Sequence, residues 1–148
     1  MKRKHATAAI FFVAAIGFTY VSPYIAMYRL STAARSVRLA TLAERADLPA
    51  LRASVQRQLL AAGETSDPQD LKEILDTIVS PPGLTTLILH GKQGPHGQRR
   101  DFRLAYRSWN DVVLQRAGAG TAATTFFLRR HGVWDWRLVD LALPPELL

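Results

Sequence analysis

The chain of 148 residues contains no cysteine, and this absence excludes several kinds of chemistry at once. Disulfide bonds, thiol nucleophiles, thiolate metal sites and a lipid-modified cysteine are all ruled out. The sequence also lacks a Gly-x-Ser-x-Gly nucleophile elbow and a His-x-x-x-His pair, and it has neither internal repeats nor low-complexity tracts. We therefore expect no metal, no cofactor and no specific enzyme class from motifs alone.

An uncharged apolar run extends from Ala6 to Tyr28, with a basic cluster at residues 2–4 before it and Arg29 after it. As a helix, its 23 residues would cover roughly 34 Å, which exceeds the ~30 Å hydrocarbon core of a bilayer. Because no small-x-small cleavage site follows, we predict a retained anchor and not a cleaved signal peptide. The basic cluster favours a cytoplasmic tip and a periplasmic C-terminal domain, which predicts a single-pass inner-membrane protein.

Two local features are expected inside this run. Tyr20, Tyr24 and Tyr28 recur every four residues, which places three phenol rings on one helix face near the distal membrane boundary. Pro23 lacks an amide hydrogen and would clash with the carbonyl four residues earlier. We therefore predict that the helix ends here and restarts, with Ser22 as N-cap and Pro23 as the first helical residue.

The rest of the chain is long enough for one domain and not two. We expect residues 1–28 to form the basic tip and anchor, and residues 29–148 to form a periplasmic α+β domain. The formal charge of +7 divides as +4 over residues 1–29, −1 over 30–83 and +4 over 84–148. The basic excess therefore lies at the anchor and in the C-terminal half.

Helices are expected in the first half of the domain. Helix-prone residues run over 24–45, continuous with the anchor. Asp47 and Asp67 are each followed closely by proline, which predicts two helix N-caps, and Gly63 is expected to end the first of these helices. The segment 83–90 is ambiguous between strand and helix, and we favour helix.

Strands are expected in the second half. In the last one, strict alternation would place Trp136 and Leu138 on one face but Leu141 and Leu143 on the other. A bulge near Val139-Asp140 would bring all four onto one side, and we predict it. The predicted strands are Asp101 to Tyr106, Asp111 to Arg116, Thr124 to Arg130 and Trp134 to Leu143, the last two joined by a hairpin turn at His131-Gly132. Helices followed by a meander argue for α+β, with helices packed on a curved antiparallel sheet.

Several segments in this order resemble a known family. They are Ser22-Pro23-Tyr24, Asp47-Leu48-Pro49-Ala50-Leu51-Arg52, Pro81-Pro82-Gly83-Leu84 and Trp136-Arg137-Leu138. Their order resembles the domain-of-unknown-function family numbered 2939, membrane-anchored proteins of Gram-negative bacteria with no assigned activity. The helix-then-sheet order also resembles the cystatin-like or NTF2-like cone, a likeness of fold that implies no function.

The arginines of the C-terminal half are the other collective feature of the sequence. In an exported domain they would face phospholipid headgroups, polyanionic envelope polymers or an amphipathic ligand, and nucleic acid is not expected. An ordinary solvated strand face is the alternative. The candidate anion- or ligand-binding residues are Arg35, Arg38, Arg103, Arg107, Arg129 and Trp109.

Weaker candidates for chemistry have simpler explanations. Residues 118–123 fit a loose dinucleotide fingerprint, but strand-prone residues follow where a helix is required. The histidines at 90, 96 and 131 lack metal-binding spacing. Tyr106 with Asp101 or Asp111 could form an acid-base pair. We expect a non-enzymatic interaction or ligand-binding module; the alternatives are a small pocket enzyme of the isomerase or hydrolase type and a structural subunit of an envelope complex.

Overall fold

The computed structural model describes residues 2–36, 38–63, 67–92, 102–116 and 123–148. Within these ranges the chain has the expected α+β architecture, with helices in the first half and one antiparallel sheet in the second. The helices are α1 (Lys2–Arg35), α2 (Leu39–Arg45), α3 (Leu48–Ala62), α4 (Pro68–Ile78) and α5 (Pro81–Lys92). The strands are β1 (Phe102–Tyr106), β2 (Asp111–Arg116), β3 (Thr125–Arg130) and β4 (Trp136–Ala142), followed by a 3₁₀ turn (Pro145–Leu147).

Helix α1 passes through Pro23 without a break, so the predicted restart at Ser22 is wrong. Proline leaves the carbonyl oxygen of Thr19 without its usual helical donor. The Ser22 hydroxyl supplies a replacement, because its Oγ donates to that oxygen at 2.8 Å. The side chain expected to cap a new helix therefore repairs the existing one.

The helix predicted over 24–45 is interrupted after Arg35, which corrects the expectation of one continuous element. The Arg38 N–H donates to the carbonyl oxygen of Ala33 at 2.9 Å and closes the C-terminal end of α1. After this turn α2 packs against α1, and Leu42 is buried in the core with 1% exposure. Burial of Leu42 explains why the chain folds back here.

The predicted caps and the ambiguous segment agree with the structure. The Asp47 and Asp67 carboxylates accept from the backbone N–H groups of Ala50 and Gln69, at 3.1 and 2.8 Å. Gly63 ends α3 in the left-handed conformation at φ 72°, where a side chain would be strained. Residues 83–90 lie inside α5, as favoured.

The sheet is a meander in the order β1-β2-β3-β4. The pairing of β3 with β4 shifts register between Phe127, which faces Asp140, and Leu128, which faces Leu138. Val139 is left as the extra residue, so the predicted bulge is confirmed. It places Trp136, Leu138, Leu141 and Leu143 together on the buried side.

The outer edge of β4 is closed by groups from outside the sheet. The Asp47 N–H donates to the carbonyl oxygen of Leu138 at 2.8 Å. Further along, the Gln58 amide donates to the carbonyl oxygen of Leu141 at 2.6 Å and accepts from the N–H of Leu143 at 2.9 Å. One side chain thus makes the donor and acceptor pair that a neighbouring strand would supply.

The core lies between the helices and one side of the sheet. Helix α1 contributes Ala26, Leu30 and Ala34, which are at most 5% exposed. Buried residues of α1 begin at Thr19, so the boundary expected at residue 28 falls within a helix that already lines the core. One helix is therefore shared between the exposed N-terminal segment and the domain.

Candidate functional site

The N-terminal part of α1 projects from the domain as an exposed apolar segment. We call residues 5–18 the rod, since each of them is exposed along its length, including Phe11 at 72% and Phe12 at 70%. Helix α1 is long and apolar enough to span a membrane by length and composition, with a mean hydropathy of 1.8 over its most apolar part. A large exposed apolar surface of this kind indicates a contact with a membrane or with another protein.

Two loops of the sheet lie against one side of α1 where the rod joins the domain, namely residues 107–110 and 131–135. The Trp134 ring lies edge-on to Phe18, with ring centroids 5.4 Å apart. The rings of Tyr106 and Trp109 lie edge-on to Tyr20, at 5.8 and 5.9 Å. We call the residues Tyr106, Trp109, Val133 and Trp134 the collar.

Hydrogen bonds fix the position of α1 relative to the sheet at this junction. The Tyr106 hydroxyl donates to the carbonyl oxygen of Tyr20 at 2.6 Å. The indole N–H of Trp136 donates to the Ser22 hydroxyl at 2.8 Å, and both side chains are buried. Burial also raises the pKa of the Tyr106 phenol, partly offset by Arg130. The junction is therefore a packed interface and not a flexible linker.

Arg130 ties the two loops together. Its guanidinium carbon lies 4.6 Å from the ring centroid of Trp109 and 4.5 Å from that of Trp136, so two indoles stack on one cation. Its Nε donates to the carbonyl oxygen of Trp109 and one terminal nitrogen donates to that of Val133. The sequence predicted Trp109 as a site residue but not Arg130. Arg129 and Arg130 are adjacent, and nothing in the sequence indicates which of them lies between two tryptophans that are distant along the chain.

A second feature is a groove of about 490 Å³ between α3 and the ends of β3 and β4. Arg137 lines this groove, and its Nε is buried and has no hydrogen-bond partner within the described ranges. Asp140 is already engaged, because it accepts from the Ser54 hydroxyl. The charged and titratable residues that line the groove are Asp47, Arg57, Arg129, Arg130, His131, Arg137 and Asp140. Cationic groups outnumber carboxylates, so the groove suits an anionic group.

Arg107 and Arg129 are predicted site residues that both lie near Asp111, on the solvent side of the sheet. Arg129 Nε donates to the Asp111 carboxylate at 2.9 Å, and this hydrogen bond is the main reason that the Asp111 pKa is lowered. Arg107 also lowers that pKa by its charge and lies 5.9 Å from the Phe127 ring centroid. Arg103 is exposed at the other end of β1.

The remaining predicted residues lie elsewhere. Trp109 belongs to the collar, whereas Arg35 and Arg38 are exposed at the far end of α1. Arg35 lies 15 residues after Tyr20, about 22 Å further along the helix axis. The six candidates therefore do not form one site, although Arg107 and Arg129 both lie near Asp111.

The other candidates are also accounted for. His131 is exposed, and Asp111 pairs with Arg129 and not with Tyr106. His96, Asp101 and most of residues 118–123 lie outside the described residues, as does the side chain of His90. Among the residues that can be placed, no three His, Asp or Glu side chains gather as a metal site would require.

Comparison with protein-family models gives a match to part of the chain. Residues 12–79 match the family described as "Protein of unknown function (DUF2939)", a segment that contains the second half of the rod, the remainder of α1, and α2 to α4. No curated protein matches the chain, and no solved structure does, so the likeness to cystatin-like or NTF2-like cones is not shown. The match agrees with the resemblance read from the ordered segments, and over residues 12–79 the chain is similar to the DUF2939 family of proteins of unknown function.

Proposed function

We propose that the protein is a single-pass inner-membrane protein whose periplasmic domain is a non-enzymatic binding module. The observation that carries this proposal is the division of α1, which exposes its apolar first half and buries one face of its second half. A rod of this composition is stable in hydrocarbon, where its backbone groups are already paired within the helix. The basic residues at 2–4 favour a cytoplasmic N-terminus.

The shared helix also supports retention of the anchor. Cleavage after the apolar run would remove Ser22, Ala26 or Leu30 from a core in which each is at most 5% exposed. Loss of such residues leaves a cavity and an unpaired indole N–H. A cleaved chain would therefore lose part of its domain, whereas a retained helix keeps it complete.

The groove supports the binding role and indicates an anionic group as its ligand. Among the residues that the structure describes, the buried Nε of Arg137 has no partner, and burial of an unpaired cationic donor is costly until an anion completes the hydrogen bonding. Between the sheet and the helices, where an isomerase- or hydrolase-type pocket would lie, the space is occupied by Trp136, Phe126 and Leu138. This packing favours the groove over an internal pocket.

Anchoring is tested by placing charge in the rod. Phe12→Arg combined with Val13→Arg adds two charges, each costing roughly 2.5–3.5 kcal/mol at the centre of a span. We expect the full-length variant to leave the membrane fraction in alkaline carbonate, while Phe12→Leu with Val13→Leu stays. A C-terminal reporter that is active only after export tests the orientation. Wild-type protein in the soluble fraction would refute the anchor.

Binding in the groove is tested with the full chain in zwitterionic detergent. Titration with short-chain phosphatidylglycerol should give saturable binding, with inorganic phosphate as a headgroup-free comparison. Arg137→Gln should weaken binding by about tenfold or more, because a charge-assisted hydrogen bond contributes roughly 1.5–3 kcal/mol. Arg103→Gln removes an exposed arginine remote from the groove lining and should leave the affinity unchanged. Equal losses in both variants would mean general charge attraction and no site.

A further inference from the structure

We infer that the collar enters the lipid headgroup and upper acyl layer, so that the domain is seated in the membrane surface and not held clear of it. The inference rests on the proposed anchoring and goes beyond it by naming the surface of the domain that meets lipid. The collar is therefore expected to contact the headgroup region of the leaflet that faces the domain. The supporting observations are the length of the rod, the composition of the collar and the rigidity of the junction.

The rod is too short to cross a bilayer by itself. Its 14 residues, His5 to Phe18, cover about 21 Å, against a hydrocarbon core of ~30 Å. About six more residues are needed, which moves the distal boundary of the hydrocarbon to the level of Tyr24. The collar contacts α1 at Phe18 and Tyr20, and so lies roughly 6–9 Å on the lipid side of that level.

The exposed face of α1 has the composition expected at this depth in the membrane. Tyr20, Val21 and Tyr24 remain 50–54% exposed although they follow the rod, so one side of the helix stays apolar and aromatic at the level where the domain begins. Tyrosine and tryptophan are enriched where hydrocarbon meets headgroups. The helix can therefore continue into lipid on this side while the domain covers the other.

The collar has the same character. Trp109, Val133 and Trp134 are 55%, 66% and 52% exposed, which is unusual for three large apolar side chains at the tips of neighbouring loops. The charge of Arg130 beside them is covered by two indole rings and bonded to two carbonyl oxygens. Exposed His131 and the Asp135–Arg45 ion pair, at 3.4 Å, adjoin the collar and keep the insertion shallow.

The junction does not allow the domain to swing away from the membrane. Tyr106 and Trp136 bind α1 through hydrogen bonds to Tyr20 and Ser22, and Trp134 contacts Phe18. Any depth that α1 takes in the bilayer is therefore imposed on the loops 107–110 and 131–135. With a flexible linker at the junction, the depth of the loops would not depend on the depth of α1.

The absence of cysteine allows a direct depth measurement on the full chain. Single variants Val133→Cys in the collar, Val13→Cys in the rod and Glu73→Cys on the exposed surface of α4 each receive an environment-sensitive fluorophore. Each protein is reconstituted in vesicles of phosphatidylcholine and phosphatidylglycerol that carry a nitroxide quencher on the upper acyl chain. We expect the Val133 probe to be quenched to at least about half the extent of the Val13 probe, and the Glu73 probe to remain unquenched.

The outcomes separate this inference from the anchoring proposal. Quenching at Val13 with a Val133 probe that behaves like the Glu73 probe would overturn the seated collar and leave the anchor intact, since the bilayer would then have thinned around the rod. An unquenched Val13 probe would overturn both. Replacement of Val133 with Asp provides a second measurement, because a charge in the upper acyl layer should reduce quenching of the protein's tryptophan fluorescence by the same nitroxide, whereas Glu73→Asp should not.

Discussion

The Ser22 hydroxyl offers the sharpest test of how α1 and the sheet are joined. Its Oγ donates to the carbonyl oxygen of Thr19, which Pro23 leaves without a helical donor, and accepts from the indole N–H of Trp136. Ser22 is 3% exposed and Trp136 is fully buried, so water cannot replace the hydroxyl. Ser22→Ala therefore leaves one donor and one acceptor unpaired, at about 1–3 kcal/mol each. We expect a total loss of about 2–4 kcal/mol in the free energy of unfolding.

Substitution of Pro23 separates the two contributions. In a Pro23→Ala background the amide of residue 23 can donate to the Thr19 carbonyl, so that removal of the Ser22 hydroxyl should cost only the bond to Trp136. The loss caused by Ser22→Ala should then be smaller by about 1 kcal/mol than in the wild-type background. This difference is the coupling free energy between Ser22 and Pro23.

The measurement is urea unfolding of the full chain in detergent micelles, followed by tryptophan fluorescence. With a slope of roughly 1–3 kcal/mol/M, the expected loss moves the midpoint by about 1–2 M. Ser36→Ala is the matched control, because its hydroxyl makes a similar 2.8 Å bond to a backbone carbonyl but is exposed. A loss no larger than that of the control, or equal losses in the two backgrounds, would refute the bridging role of Ser22.

Three further changes test other parts of the fold. Gln58→Ala removes both bonds that close the edge of β4 and should lower the urea stability by about 2 kcal/mol; an unchanged midpoint would mean that water satisfies this edge. Because the hydrogen bond from Arg129 lowers the Asp111 pKa, the pair stabilises the fold at neutral pH and this stabilisation is lost as the pH falls through the folded-state pKa. Asp111→Asn should therefore cost less than about 1 kcal/mol at neutral pH and reduce the loss of stability in acid; identical pH profiles would contradict this. Gly83→Ala should lower the melting temperature markedly, since a Cβ there would lie 2.1 Å from the carbonyl oxygen of Thr77; a neutral effect would contradict the close approach of α5 to α4.

Features controlled by neighbouring residues could be predicted from the sequence. The Asp47 and Asp67 caps depend on backbone amides two or three residues away, and Gly63 ends its helix through its own backbone freedom. The bulge at Val139 could be predicted because period-two alternation fails by one residue at a known place. In each case the physical cause lies within a few residues of the effect.

Features controlled by distant partners could not be predicted. Pro23 indicated a break in the helix, but the Ser22 hydroxyl supplies a compensating hydrogen bond. That hydroxyl is held in place by Trp136, which is far away in the sequence. Gln58 has the sequence character of an ordinary helix-surface residue, and only the register of β4 makes it an edge cap. The candidate arginines were chosen for their charge, but among the described residues a buried guanidinium nitrogen without a partner distinguishes Arg130 and Arg137, and burial is a property of the assembled fold.

The bond between Trp136 and Ser22 also sets the order of events when the protein is made, because it joins residues separated by 114 positions. The N-terminal helix leaves the ribosome first, yet the indole that binds Ser22 belongs to the last strand to be synthesised. The Ser22 hydroxyl must therefore remain without this partner until more than a hundred further residues have been synthesised. Completion of the junction between α1 and the sheet is consequently a late event in folding, which follows the synthesis of the C-terminal hairpin.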